Sequence, residues 1–126
     1  MKRVEWQAPL ANRCILLVED EALVALELQL ALTDAGAKVL LAMSIPEALR
    51  QAEYDNLAGG ILDVRVGAWE VFDVATRLAQ RRVPFLFHTG HDCDRLLHLW
   101  PGSPVLRKPV SPDRIVADLV ELLRAP

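Results

Sequence analysis

The sequence predicts an α/β domain: a parallel sheet with helices wound over both faces. Three observations carry that expectation. Short apolar runs alternate five times with longer helix-like stretches along the 126 residues. Most of the runs are continuously apolar, as strands buried on both faces should be. The runs are also too far apart for hairpins, so successive strands need crossover connections.

The strand candidates are Cys14–Val18, Lys38–Ala42, Gly60–Asp63, Val83–His88 and Val105–Leu106, the last being short. A first helix, rich in Ala and Leu, is expected over Glu21–Ala35, with Gly36 closing it as a glycine just past the helix end. Ser44-Ile45-Pro46-Glu47 reads as a helix start. Ser44 caps the amides, Glu47 reaches back, and Pro46 sits in the first turn where its missing donor costs little. Ser111-Pro112-Asp113 repeats the device before Ile115–Arg124 and adds an acid at the positive end of the helix dipole.

Right-handed crossovers between such strands place helices on both faces. The expected architecture is therefore a flavodoxin-like, doubly wound, five-stranded parallel sheet of order 2-1-3-4-5. The five units differ in length and share no fixed-period signature, so a repeat architecture is not supported.

With 52% hydrophobic residues, the chain fits one globular domain with a sizeable core. The expected organisation is an N-terminal arm over residues 1–12 and a folded domain over 13–126. A formal charge of −3 and the lack of any dense Lys/Arg block argue against a nucleic-acid surface, since Arg81-Arg82 and Arg107-Lys108 are only pairs. No secretory leader pattern and no bilayer-spanning apolar stretch is visible, so a soluble cytoplasmic protein without membrane contact is expected. Cys14, inside the first strand, reads as a small buried hydrophobe, and Cys93 as a loop residue; neither suggests a disulfide framework.

Four strand candidates end in polar groups: Glu19-Asp20, Asp63, Thr89 and Lys108. In a parallel α/β sheet the carboxyl ends of the strands share one edge, where ligands bind. Clustered carboxylates repel unless a hard cation neutralises them, and Mg²⁺ is held by one or two carboxylates with waters and phosphate oxygens. A hydroxyl and an ammonium opposite would stabilise the oxygens of a transferring phosphoryl group. An aspartate between them can attack phosphorus and form an acyl phosphate. Each residue alone has a plainer reading: a helix-start acid pair for Glu19-Asp20, a turn residue for Asp63, a strand end for Thr89-Gly90, a solvated lysine for Lys108. Convergence on one edge is what favours the chemical reading.

The set also matches a known pattern. Ile15-Leu16-Leu17-Val18-Glu19-Asp20-Glu21, Leu62-Asp63-Val64, Phe87-His88-Thr89-Gly90 and Lys108-Pro109, in that order, resemble the receiver domain of bacterial two-component response regulators over Arg13 to Arg124. The strand Val83–Gly90 further looks like a subgroup of small stand-alone, single-domain receivers with a Phe-x-Thr-Gly end. The resemblance implies that Asp63 is the phospho-acceptor, taking its phosphoryl group from a sensor histidine kinase, a phosphotransfer protein or a small acyl phosphate. It implies that Glu19, Asp20, Asp63 and the backbone carbonyl of Arg65 hold Mg²⁺. Thr89 and Lys108 would each contact a phosphoryl oxygen, Gly90 would keep the approach open, and the Lys108-Pro109 bond is a candidate for the cis form. Such a protein is no enzyme in the usual sense, but a phospho-acceptor that catalyses its own aspartyl phosphorylation and dephosphorylation, and signals by protein contact or phosphorelay.

Two departures stand out. After Asp63 come Val64-Arg65-Val66-Gly67-Ala68-Trp69, where many receivers carry Met-Pro or Leu-Pro. The aromatic that many carry three residues before the lysine is here Val105. These favour an alternative, a phosphorylation-independent pseudo-receiver acting as a docking module. A phosphohydrolase of the haloacid-dehalogenase type has less support, because Arg65 stands where such enzymes keep a general acid.

Three further expectations concern individual residues. His88, His91 and Cys93 have ligand-like spacing but too few companions for zinc. Arg65 and His91, two residues after Asp63 and Thr89, are expected to set the lifetime of the acyl phosphate. In the last helix Ile115, Leu119 and Leu122 form one stripe and Val116, Val120 and Leu123 a second. A wide buried face accounts for both; if the second stripe is exposed, a homodimer or docking contact through this helix follows.

Overall fold

The computed structural model describes residues 8–90 and 94–124. The strands are β1 (Cys14–Val18), β2 (Lys38–Ala42), β3 (Leu57–Leu62), β4 (Arg65–Val66), β5 (Trp69–Glu70), β6 (Phe85–Thr89) and β7 (Val105–Arg107). The helices are α1 (Ala22–Asp34), α2 (Ile45–Gln51), α3 (Phe72–Gln80), α4 (Asp94–Leu99) and α5 (Pro112–Arg124). Five strands form one sheet in the order β2-β1-β3-β6-β7, all pairs parallel. Leaving aside the small β4-β5 hairpin, this is the expected 2-1-3-4-5 order and a flavodoxin-like fold. Among the described residues no helix is long and apolar enough to cross a membrane.

Alternation along the strands splits the interior into two cores. Leu16, Val18, Leu62, Phe85 and Phe87 point to one side, with Ala48 of α2, Val74 and Leu78 of α3, and Leu96 of α4. Ile15, Leu17, Ile61 and Leu86 point to the other, with Leu28 and Leu32 of α1 and Ile115 and Leu119 of α5. All five residues of β1 are buried, which explains its unbroken apolar run. Leu10 also belongs to the second core; it is buried and its amide donates to the Ala35 carbonyl at 2.8 Å. Val116, Val120, Leu122 and Leu123 of α5 are half-buried against the same core, so both apolar stripes of that helix pack inward. The exposed stripe on which a contact through α5 depended is therefore not found.

Helix boundaries follow the caps. Ser44 Oγ accepts from the Glu47 amide at 3.3 Å while Glu47 Oε1 accepts from the Met43 amide at 3.0 Å, a reciprocal arrangement that satisfies two orphan donors. Ser111 Oγ accepts from the Arg114 amide at 3.2 Å. Helix α1 ends with Gly36 at φ +98°, its amide donating to the Thr33 carbonyl and the Ala37 amide to the Leu32 carbonyl. That pair of bonds is the Schellman closure that needs a left-handed residue.

Two strand starts differ from the sequence expectation, and the ends of β3, β6 and β7 each shift by one residue. Strand β3 begins at Leu57 rather than Gly60, because Gly59 and Gly60 lie inside it and hide the apolar pattern. A Cβ on Gly60 would stand 3.2 Å from Leu78 Cδ1, and one on Gly59 would stand 3.1 Å from Leu123 Cδ2, so these glycines let α3 and α5 close on the central strand. Strand β6 begins at Phe85 rather than Val83, because the Val83 amide turns back to the Leu78 carbonyl and finishes α3.

Candidate functional site

The carboxyl ends of β1, β3, β6 and β7 meet at one edge, and the predicted residues meet with them. Register explains it: Val18 pairs with Leu62, Leu62 with Phe87, and Thr89 with Arg107, so the residues that follow each strand end share one level. The Asp63 amide still bonds to the Val18 carbonyl at 2.9 Å, and the Lys108 amide to the Thr89 carbonyl at 2.8 Å. The Lys108-Pro109 peptide bond is cis.

A carboxylate oxygen from each of Glu19, Asp20 and Asp63 lies within 4.8 Å of the others. Opposite them stands the Lys108 ammonium, 3.1 Å from Asp63 Oδ2, 3.2 Å from Glu19 Oε1 and 2.8 Å from Glu21 Oε1. A cleft of about 270 Å³ opens over this cluster, lined by Asp20, Glu21, Asp63, Arg65, Gly67, Gly90 and Lys108. Thr89 is fully buried, and the cleft wall at its strand end is Gly90, where an added Cβ would meet the Lys108 stem at ordinary contact distance. Of the predicted residues, Arg65 is exposed at the rim. His91 and Cys93 lie outside the described residues.

The electrostatics follow from burial. Glu19 is 1% exposed, and burial pushes its carboxyl up to about 7; the Glu21 amide and Lys108 pull it down, while the Asp63 charge pushes it further up. For Lys108 burial acts to lower the ammonium, but its hydrogen bonds to Glu21 and Asp63 and the charges of Asp63 and Glu19 outweigh burial and raise it. The cation is thus locked in its charged form. His88, one residue before Thr89, is buried with no hydrogen-bond partner for either ring nitrogen among the described residues. Burial first, then the Lys108 charge, lowers its imidazole, so it stays neutral at pH 7.

No protein-family model matches the chain. It is 32% identical over 118 residues to the alkaline phosphatase synthesis transcriptional regulatory protein PhoP of Bacillus subtilis (strain 168), an alignment covering 90% of this chain and 49% of that protein. The chain thus spans about half the length of the curated relative it matches. Among solved structures it resembles a response regulator receiver protein from Sinorhizobium medicae WSM419, with 26% identity, 90% and 95% of the two chains covered and a TM-score of 0.81. It also resembles the non-phosphorylated HemR receiver domain from Leptospira biflexa, with 25% identity, 91% and 97% coverage and a TM-score of 0.79.

The chain is a response-regulator receiver domain. In this receiver the segment after Asp63 forms the β4-β5 hairpin, pairing Arg65 with Glu70 and Val66 with Trp69. Val64 and Val66 turn inward and are buried, leaving Arg65 outward. Gly67, at φ +63°, makes the bend, and its amide donates to Asp20 Oδ2 at 2.7 Å.

The receiver's Val105 is half-buried beside an aromatic cluster supplied from elsewhere. Trp100 lies 5.6 Å from Phe72, 6.3 Å from Phe85 and 5.7 Å from Phe87, ring centre to ring centre. Sequence reasoning gave no role to Glu21, Gly67 or Trp100. Glu21 had a signal, the run of three consecutive acids, whereas the pairing of Gly67 with Asp20 spans 47 positions and leaves no local mark.

Proposed function

We propose that this receiver accepts a phosphoryl group on Asp63 from the phosphohistidine of a sensor histidine kinase or phosphotransfer protein, and signals through protein contact or phosphorelay. The observation that carries this reading is the Lys108 ammonium 3.1 Å from Asp63 Oδ2, beside a three-carboxylate cluster at the floor of an open cleft.

The donor set fits magnesium, since all three side chains offer hard oxygen ligands gathered within 4.8 Å. Glu19, Asp20 and Asp63, with the Arg65 backbone carbonyl, would hold the ion, which supplies Lewis-acid neutralisation of the phosphoryl oxygens. The chain's own residues do the rest. Asp63 Oδ attacks phosphorus as the phosphorus–nitrogen bond of the donor breaks, and the bond's electron pair leaves with the imidazole. Lys108 offers an ammonium to a phosphoryl oxygen, and Thr89 a hydroxyl to another. Gly90 adds no side chain to the wall that the donor must pass. Arg65, at the rim, governs with His91 the access of water to the acyl phosphate.

A second reading, docking without phosphorylation, is favoured by Val105, where no aromatic is available to move. Treatment with acetyl phosphate and Mg²⁺ separates the two. An acid-stable, base-labile adduct that disappears in Asp63→Asn supports the acceptor, and its absence from the unmodified protein supports the docking module.

A further inference from the structure

We propose that Glu21 is a positioning residue that holds the Lys108 ammonium at rest and must release it before the ammonium can pair with an incoming phosphoryl oxygen. The proposal rests on the reading of Asp63 as acceptor. An ammonium has three N–H donors. In this receiver three carboxylates take them: Glu21 at 2.8 Å, Asp63 at 3.1 Å and, through a long bond to Oε2, Glu19 at 3.5 Å. No donor is left for a phosphoryl group unless one of these bonds opens.

Burial decides which bond opens. The Glu19 side chain is 1% exposed, so water cannot take the ammonium's place beside it. The Asp63 side chain is 6% exposed and is the acceptor itself. The Glu21 side chain is 62% exposed, and water replaces its partner at small cost. Among the described residues the Glu21 side chain pairs with Lys108 alone. Glu21 occupies the N-cap position of α1, yet its side chain makes no capping hydrogen bond. A side chain at that position normally caps the helix amides, but this carboxylate is turned to Lys108. It also lines the cleft, adding a negative charge in the path of an anionic phosphodonor. Glu21 therefore acts as a brake on phosphorylation, through both the bond and its position.

The test compares Glu21→Gln with Glu27→Gln, which removes the same charge from an exposed residue of α1 that shares a neighbouring cavity with the Lys108 side chain but forms no ion pair with its ammonium. With acetyl phosphate and Mg²⁺, Glu21→Gln should raise the second-order rate constant of phosphorylation roughly two- to fivefold, the range of one exposed ion pair, and Glu27→Gln should leave it unchanged. In metal-free protein, acylation of Lys108 by an amine-reactive ester, read by mass spectrometry, should quicken in Glu21→Gln alone. An unchanged or slower Lys108 acylation in Glu21→Gln, or equal acceleration by Glu27→Gln, overturns the proposal. Loss of the acceptor reading shows differently: the unmodified protein then takes no phosphoryl group, whatever the Lys108 acylation reports.

Discussion

The amide of Gly67 donates to Asp20 Oδ2 at 2.7 Å, tying the hairpin that follows Asp63 to the acid that follows β1. The bond exists because Gly67 adopts φ +63°, a left-handed conformation that turns β4 into β5. A Cβ there would meet nothing within 4 Å, so Gly67→Ala introduces backbone strain and no clash. The expected loss of stability is about 1 kcal/mol, read as a lower urea midpoint, with a larger loss for the β-branched Gly67→Val. Equal midpoints for all three proteins would show that the hairpin is not held this way.

Much of the fold was legible because its signals are local. Ser44, Glu47, Ser111 and Gly36 each act within a few residues, and each does in the structure what its spacing implied. The strand ends were legible for the same reason, since an apolar run that stops at Asp63 or Lys108 marks the edge directly. What escaped depends on distant pieces of chain. The partner of Glu21 is 87 positions away, and the glycines of β3 make sense only beside α3 and α5.

The end of α3 escaped for a different reason. Arg82 sits at φ +60°, with its amide bonded to the Ala79 carbonyl and the Val83 amide to the Leu78 carbonyl, the same closure that Gly36 gives α1. An arginine in that role sends no sequence signal. It also carries a conformational cost, and Arg82→Gly should therefore stabilise the domain by about 0.5–1 kcal/mol, the relief of left-handed strain less the added freedom of the unfolded chain. Arg82 is exposed, so no packing is lost. A thermal midpoint that falls in this variant would mean that the arginine contributes something the backbone geometry does not reveal.

Trp100 packs against Phe72 at the start of α3 and against Phe85 and Phe87 of β6, and Arg95 of α4 lies 4.9 Å over the Phe72 ring. One indole thus joins three elements on the side of the sheet where Val105 is small. Trp100→Ala should cost about 2–3 kcal/mol, below the full value for a buried indole because the ring is half-buried. Trp100→Phe should recover most of it. Equal denaturation midpoints for the alanine variant and the unmodified protein would remove the cluster as a support of β6.

Glu19 makes stability depend on pH with a definite sign. Burial raises its carboxyl from the ordinary 4.5 to about 7, so between those values the folded, metal-free protein holds a proton that the unfolded chain has lost. Stability contributed by that proton is present below about pH 4.5 and declines as pH rises to about 7, by at most ~1.4 kcal/mol per unit. His88 works in the opposite sense. Its lowered imidazole leaves the fold unprotonated where the unfolded chain takes up a proton, so its contribution is present above about pH 6.5 and is lost as pH falls. The two slopes oppose each other in the unmodified protein, and only a difference separates them. Glu19 is not among the charges that shift His88, so Glu19→Gln removes one slope and leaves the other. Urea midpoints in the presence of a chelator, taken at intervals from pH 5 to pH 8, should therefore show the variant gaining on the unmodified protein as pH rises to about 7, then running parallel to it. A constant difference across that range would mean that Glu19 is ionised throughout in the metal-free fold.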